Sequence, residues 1–238
     1  MPVRRETPEA LDEAVAILRD GGLVITPTRG NYCLVCDPEN EEAIERSFEV
    51  KGRTKFGPLT LALHEIDAAG EYVDFPPGFD PGVLHRVWPS EVSFIFDKRH
   101  PFPDRLTCGH STIAIMFHGP CTLQRLLTRY GGPLGLTSGN RSGQGDIRIE
   151  LDKAVEDLGD RVDLVIEAPT RDEITVTRTS AEHPSNTIVD FTFGRPLLVR
   201  PGVLPTEDLL EHFPDLETDP EVFKRLLAER LAATKAGA

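Results

Sequence analysis

A succession of short apolar runs rich in β-branched residues constrains this chain most. They are LVIT, LTLAL, VSFIF, TIAIMF, LGLT, DLVIEA, TIVDF and PLLVR. Each has strand length, and turn-formers or helical patterns separate them. Thr7 and Pro8 are a cap and first helical residue, with Leu11, Val15 and Leu18 at helical spacing before Gly21 and Gly22. Asn40 is placed to cap EEAIERSFEV, and Asp80-Pro81 opens a short helix that Trp88-Pro89 breaks. CTLQRLLTRY carries Leu123, Leu126, Leu127 and Tyr130 on one side and stops at Gly131. A further helix is expected around Asp152 to Leu158. Strands and helices intermixed in this way predict an α/β fold with a twisted mixed parallel/antiparallel sheet and flanking helices. The last strands have no helices between them, so some of their pairing is expected to be antiparallel.

The chain has 238 residues, enough for a sizeable core. One domain is expected over 1–205, with an acidic, then helical extension over 206–238. Phe223, Leu227 and Leu231 give that last helix an apolar stripe, expected to pack on the main domain, with partner binding or dimerisation as the alternative. No apolar run reaches the roughly 20 residues of a membrane helix. The N-terminal stretch has no apolar segment of the kind a secretory signal needs. A cytoplasmic protein is the expectation, with no membrane partner. The net charge of −13 repels phosphate backbones and disfavours direct nucleic-acid binding, although a local basic cleft can override it.

The stretch ITPTRGNYCLVCD holds both a Cys-x-x-Cys, Cys33 and Cys36, and a polar turn from Thr28 to Tyr32. A zinc site would want a second close pair, and Cys108 and Cys121 are far apart in sequence. A redox pair normally sits at a helix N-terminus. Here Leu34 and Val35 intervene, so the cysteines read as small core residues. The polar turn is the better functional candidate. It has counterparts in Ser138-Gly139-Asn140-Arg141-Ser142-Gly143 after LGLT and in Pro201-Gly202 after LLVR. Ligands of open α/β sheets gather at strand ends, where backbone N–H groups approach anions closely. Lys51 and Arg53, in a Gly-containing loop, can add charge toward phosphate or carboxylate. No Walker-type loop and no Gly-x-Gly-x-x-Gly is present, so a nucleotide or polyanion site rests on these pieces together.

The ordered segments GGLVITPTRGNYCL, KGRTKFGPLTL, VWPSEVSFIF, LGLTSGNRSG and SNTIVDFTFGRPLLVRPG resemble the YrdC-like family, whose best-known members are threonylcarbamoyl-adenylate synthases. The resemblance runs from about residue 8 to 205. It implies a twisted sheet around a large, positively lined cavity. It also implies a reaction of ATP, bicarbonate and an amino acid, with magnesium, giving a carbamoyl-adenylate and pyrophosphate. By the same resemblance Lys51 and Arg53 are the catalytic cations at the ATP phosphates and carbamate. Ser138 and Asn140 bind the nucleotide, and Arg200 is the late arginine near the phosphates. Thr28 and Tyr32 help form the amino-acid end, and the product would pass to a downstream carbamoyl transferase.

This chain departs from the family pattern in a cluster of places. The turn Pro-Thr-Glu-Thr-x-Tyr-Gly-Leu becomes Pro27-Thr28-Arg29-Gly30-Asn31-Tyr32-Cys33-Leu34. In IAIMFHGP, Met116 stands for an arginine and His118 for a proline. Trp88-Pro89-Ser90-Glu91-Val92-Ser93 replaces Trp-Pro-Gly-Pro-Leu-Thr, and Asn186 lies at or beside the serine of Pro-Ser-Thr. The nucleotide-side motifs persist while the amino-acid side has changed. The expected substrate contacts are therefore Thr28, Arg29, Tyr32 and Asn186, with Arg29 standing in for the lost cation if the two positions face each other. The acceptor, an amino acid or amine, is expected to differ from threonine, with drift in a threonine-using enzyme as the alternative. His110 and His118 are minor acid–base or metal candidates. The competing reading is a non-catalytic YrdC-like protein that holds nucleotide or RNA; carbamoyl transfer from carbamoyl phosphate is a third, disfavoured because no second catalytic domain to complete the transfer is expected in these residues.

Overall fold

The structure, a computed structural model, describes residues 2–52, 57–144, 147–169 and 185–236, with side chains to residue 232. The first strand, β1 (Val3–Arg5), precedes helix α1 (Pro8–Arg19). Thr7 caps this helix, its Oγ1 accepting from the Ala10 N–H at 3.2 Å. Strands β2 (Val24–Pro27) and β3 (Tyr32–Cys36) flank the polar turn. Helix α2 (Glu41–Val50) starts at Asn40, whose Oδ1 accepts from the Ala43 N–H at 3.0 Å. Then come β4 (Thr60–Ala62), α3 (Ala69–Tyr72), β5 (Val73–Asp74), α4 (Gly82–Val87) and β6 (Val92–Lys98). The loop expected over roughly 97–110 contains a single helical turn, α5 (Asp104–Thr107), before β7 (Thr112–Met116). Helix α6 (Thr122–Tyr130), β8 (Leu134–Ser138), α7 (Leu151–Leu158) and β9 (Leu164–Glu167) follow. The described chain closes with β10 (Thr187–Asp190), β11 (Leu197–Arg200), α8 (Thr206–His212) and α9 (Pro220–Ala236).

The described strands join one sheet in the order β1-β9-β2-β3-β8-β4-β7-β6-β10-β11, with β5 on β6. Pairing is mixed: β4 with β7 and β6 with β10 run parallel, while β2–β3, β3–β8, β4–β8, β6–β7 and β10–β11 run antiparallel. The expected fold class is what the structure has, including the antiparallel pairing at the end.

Strand alternation sorts the apolar residues onto two faces. One face buries Ile25, Leu34, Leu61, Phe94, Phe96, Ile115 and Val189 in the larger core. There Phe96 stacks on Phe191 with centroids 5.0 Å apart, and Phe213 meets Phe191 at 5.1 Å. Leu209, Phe213 and Leu216, from the segment after residue 205, enter this same core. The other face packs Val24, Val35, Leu136 and Leu164 against Leu11, Ala14 and Leu18 of α1 and Leu123, Leu126 and Leu127 of α6. Cys33 belongs to this second cluster and Cys36 to the first. Three residues apart on one strand, their side chains leave opposite faces, so they cannot pair, and burial pushes each thiol up to about 12.

The last helix meets the main domain through only part of its expected stripe, Phe223 lying against Phe193 with ring centroids 6.1 Å apart. Leu227 and Leu231 are exposed, at 36% and 48%. The helix is instead clasped by Arg230, whose guanidinium lies 3.5 Å from the Phe193 ring centroid and donates to the Thr192 carbonyl at 2.6 Å.

Candidate functional site

The face that carries α1 and α6 is covered over β9, β2, β3 and β8. Toward β6, β10 and β11 it changes character. By register, Ile95 pairs with Ala114, Ala114 with Thr60 and Thr60 with Leu136, so the row shares its face with the α1/α6 cluster. Yet Thr60, Ala114 and Ile95 are only half-buried, as is Ile188 beside them. The same face carries Arg200, which pairs with Ile188, and Ser93, which pairs with Ile188 on its other side. A strip of sheet lined by small and polar residues therefore lies beside the two-helix cluster, and polar turns rim it.

At one rim stands Lys51, the C-cap of α2, 1% exposed. Its ammonium donates to the Ser138 carbonyl, to the Asn140 carbonyl at 2.7 Å and to Ser138 Oγ at 3.3 Å. The Ser142 N–H closes the loop onto the Lys51 carbonyl at 3.0 Å. Lysine at a helix C-terminus also meets the negative end of the helix dipole. Lys51, Ser138 and Asn140 thus form one unit, in which a buried cation shapes the Ser-x-Asn turn. Arg53 lies outside the described residues. The Asn140 amide donates to Gln144 Oε1 at 3.2 Å, and Asp157 holds the next residues through the Arg141 N–H. Gly139 donates to the Tyr32 carbonyl at 2.9 Å, and a Cβ there would lie 2.9 Å from the same oxygen, so the close approach requires glycine.

At the far rim, Arg200 grips the Asn186 carbonyl with Nε at 3.1 Å and a terminal nitrogen at 2.8 Å. The Asn186 amide reaches Met116 Sδ at 3.6 Å, and Ser93 Oγ reaches the same sulfur at 3.9 Å.

The turn after β2 makes the third side. Thr28 Oγ1 donates to the Asn31 carbonyl at 2.8 Å and accepts from the Asn31 N–H at 3.2 Å, so its hydroxyl is spent on shaping the turn. Asn31 Oδ1 accepts from the Ile149 N–H at 2.7 Å. Tyr32 departs from its expected place. Its ring lies on the opposite face, within the larger core, and its hydroxyl accepts from the Ala168 N–H at 3.3 Å. Arg29 leaves the turn toward the segment before β6. It donates to the Pro89 carbonyl at 3.3 Å and pairs with Glu91, Nε to Oε1 at 3.5 Å.

Glu91 and His118 are the residues that sequence reasoning left aside or underweighted. The β6–β7 register, which pairs Phe94 with Ile115, sets Glu91 opposite His118 when carried three pairs further. His118 is 3% exposed, and neither ring nitrogen has a hydrogen-bond partner. Burial, with the nearby Arg29 charge, lowers its pKa to about 4. The imidazole is therefore neutral in the folded protein across the neutral range, while in the unfolded chain it titrates near 6.5. Because the folded pKa is depressed, the unfolded state takes the proton first, and stability falls as pH drops from about 6.5 toward 4. Replacing His118 with Gln is expected to flatten that part of the curve. Urea midpoints between pH 7.5 and 5 check this, and an unchanged slope would refute it.

Among the described residues no three His, Cys, Asp or Glu side chains stand together as metal ligands, and no helix is long and apolar enough to cross a membrane.

A family model for Sua5/YciO/YrdC domains, carrying the description "Telomere recombination", matches residues 16–202. A threonylcarbamoyl-AMP synthase of Coxiella burnetii (strain RSA 493 / Nine Mile phase I) is 31% identical over 168 residues, covering 68% of this chain and 86% of that protein. The crystal structure of Sua5 from P. abyssi complexed with L-threonine superposes with a TM-score of 0.79 at 25% identity. That match takes in 93% of this chain but 63% of the archaeal one. E. coli YciO, at 22% identity and a TM-score of 0.69, shares the fold over 89% of this chain and 96% of its own.

Proposed function

The chain belongs to the Sua5/YciO/YrdC family and is a threonylcarbamoyl-AMP-synthase-like enzyme, and from that premise we propose that it joins ATP, bicarbonate and an amino acid or amine into a carbamoyl-adenylate. The acceptor's amine would add to the bicarbonate carbon, giving a carbamate and water. A carbamate oxygen would then bond to the α-phosphorus of ATP as the bond to the β-phosphate oxygen breaks, releasing pyrophosphate. The observation that carries this reading is the buried Lys51 ammonium holding the Ser138–Asn140 turn beside a half-buried strip of sheet lined by small and polar residues. Positive charge fixed beside a turn of backbone N–H groups suits the negative charge that builds up during phosphoryl transfer. In this proposal Lys51 and Arg53 serve the phosphates and carbamate, Ser138 and Asn140 the nucleoside side, and Arg200 the late phosphate position. Thr28, Arg29 and Asn186 border the acceptor. Tyr32 supports the turn from behind, through its carbonyl and its buried ring. No described carboxylate cluster fits magnesium as a resident ion, so the ion would arrive on the nucleotide phosphates, as magnesium commonly does.

Met116 where relatives of the resembling pattern carry arginine, together with Arg29 in the turn, supports an acceptor other than threonine. The test is pyrophosphate release with ATP, magnesium and bicarbonate over a panel of amino acids and amines, with mass spectrometry of the adenylate. Turnover with any acceptor is the expected result, and preference for a compound other than threonine supports the altered pocket. Nucleotide binding without pyrophosphate release from any mixture would favour a binding protein.

A further inference from the structure

Asp157, near the end of α7, is 7% exposed, and its carboxylate accepts three hydrogen bonds. Oδ2 takes the Arg141 N–H at 3.2 Å, while Oδ1 takes Lys153 Nζ at 2.9 Å and Gln144 Nε2 at 3.3 Å. Burial acts to raise its pKa, but the bonds from Lys153, the Arg141 N–H and Gln144 outweigh it and hold the carboxyl below the usual carboxylate range. Asp157 is therefore ionised across the neutral range, and an ionised carboxylate only accepts. Gln144 must turn its NH2 group toward Asp157, which leaves its Oε1 for the Asn140 amide at 3.2 Å. That oxygen in turn claims the Asn140 NH2 group. One carboxylate thus sets the direction of two side-chain amides in series. The Asn140 main chain is held independently, by Lys51 Nζ on its carbonyl at 2.7 Å. What remains of Asn140, a residue 6% exposed, is Oδ1, which has no partner among the described residues.

An amide fixed in this direction selects its ligand by chemistry. Its oxygen receives a hydroxyl or an amine N–H and repels a phosphate oxygen. Turned round, the same amide would offer NH2 and the preference would invert. We propose that Asp157, acting through Gln144, is a positioning residue that fixes the Asn140 amide with its oxygen toward the nucleotide, so that Asn140 reads a hydrogen-bond donor of the nucleoside, a ribose hydroxyl or the amine of the base, and not the phosphates. This rests on the carbamoyl-adenylate reading for the identity of the nucleotide, but the discrimination itself is separable from the reaction.

The experiment is isothermal titration of the intact protein with ATP, 2′-deoxy-ATP, 3′-deoxy-ATP and inosine triphosphate, which lack in turn each ribose hydroxyl and the base amine. One of the three analogues is expected to bind the wild type about tenfold more weakly than ATP, the scale of one lost hydrogen bond. Which one it is names the group that Asn140 reads. Gln144→Ala removes the relay at an exposed position, so the fold survives it. Asp157→Asn keeps the shape but lets both amides turn, because an amide donates as well as accepts. Each variant is expected to bind ATP more weakly while leaving the sensitive analogue unchanged, which closes the gap to about threefold or less. Asp157→Asn added to Gln144→Ala should change the gap no further, since both act through Asn140. A merely structural role would weaken all four nucleotides alike and preserve the gap, and that result overturns the proposal. So do equal affinities of the wild type for all four, or a gap that survives both single substitutions. Pyrophosphate release from the same preparations keeps the two ideas apart. Turnover of ATP by a protein that binds all three analogues equally well would sink this inference and leave the carbamoyl-adenylate reading standing. A gap that Gln144→Ala closes, without pyrophosphate release from any mixture, would do the reverse, and absence of nucleotide binding would sink both.

Discussion

Lys51→Met is expected to abolish pyrophosphate release, with a loss of at least a hundredfold, and to destabilise the fold by about 2–4 kcal/mol. The methionine side chain has similar length, so packing changes little. The effect comes from chemistry. The ammonium serves the Ser138 carbonyl, Ser138 Oγ and the Asn140 carbonyl at once, and its removal leaves these acceptors without their cation. A charged donor is worth more than a neutral one, and acceptors stranded near the protein interior cost more still. The Ser-x-Asn turn should then loosen together with Ser142, whose N–H rests on the Lys51 carbonyl. Urea unfolding gives the stability change, and single-turnover assays give the rate. A variant that unfolds early but keeps its turnover would show that Lys51 is a structural strut and no part of the chemistry. Lys51→Arg is a sharper probe, because the planar guanidinium keeps the charge but cannot reproduce three convergent bonds from one nitrogen.

Gly202→Ala is expected to cost about 3 kcal/mol or more, at the upper end for an overpacked site, and to lower turnover at least tenfold. A Cβ at this position would stand 2.4 Å from the Ser185 carbonyl oxygen, 2.4 Å from the Thr187 nitrogen and 2.5 Å from the Asn186 carbonyl carbon. All three are backbone atoms, so no rotamer change relieves the clash. The segment from 185 to 187 must move, or the Pro201–Val203 turn must. Either movement breaks the Val203 N–H bond to the Ser185 carbonyl at 2.9 Å and shifts the Asn186 carbonyl that orients Arg200. Thermal denaturation and nucleotide titration together check the result. A native-like melting temperature with unchanged nucleotide affinity would show that the Asn186–Arg200 corner is not part of the site.

What the sequence made legible follows from the range of the interactions. The caps at Thr7 and Asn40 are local, three residues from the N–H groups they serve, and both are present as expected. The helix ending before Trp88-Pro89 is local too. Strand β3 is not legible locally because its five consecutive residues are all buried, so it shows none of the alternation that marks a half-buried strand. The Lys51 unit was visible as separate motifs, but its joining depends on strand β8 delivering Ser138 to the end of α2, 87 residues away. Glu91 and His118 are separated by a hairpin-like pair of strands whose register no local pattern specifies. Of the stripe Phe223, Leu227 and Leu231, Phe223 is covered and the two leucines are not, because periodicity reports an amphipathic helix and not which neighbour covers each residue. Here Phe193 and Arg230 supply the hold, and the two leucines stay exposed.

The half-buried strip of sheet limits how such an enzyme can acquire new substrates. Its floor is built from mid-strand positions, each of which alternates with a residue of the aromatic core on the reverse side. Inserting or deleting one residue in β6 or β7 would turn Phe94, Phe96 and Ile115 outward and ruin the core, so length changes in these strands are closed as a route to new specificity. Innovation must proceed letter by letter, at positions such as Ser93, Met116 and His118, or in the turn that carries Arg29. A pocket of this construction diversifies by exchanging side chains on a fixed lattice.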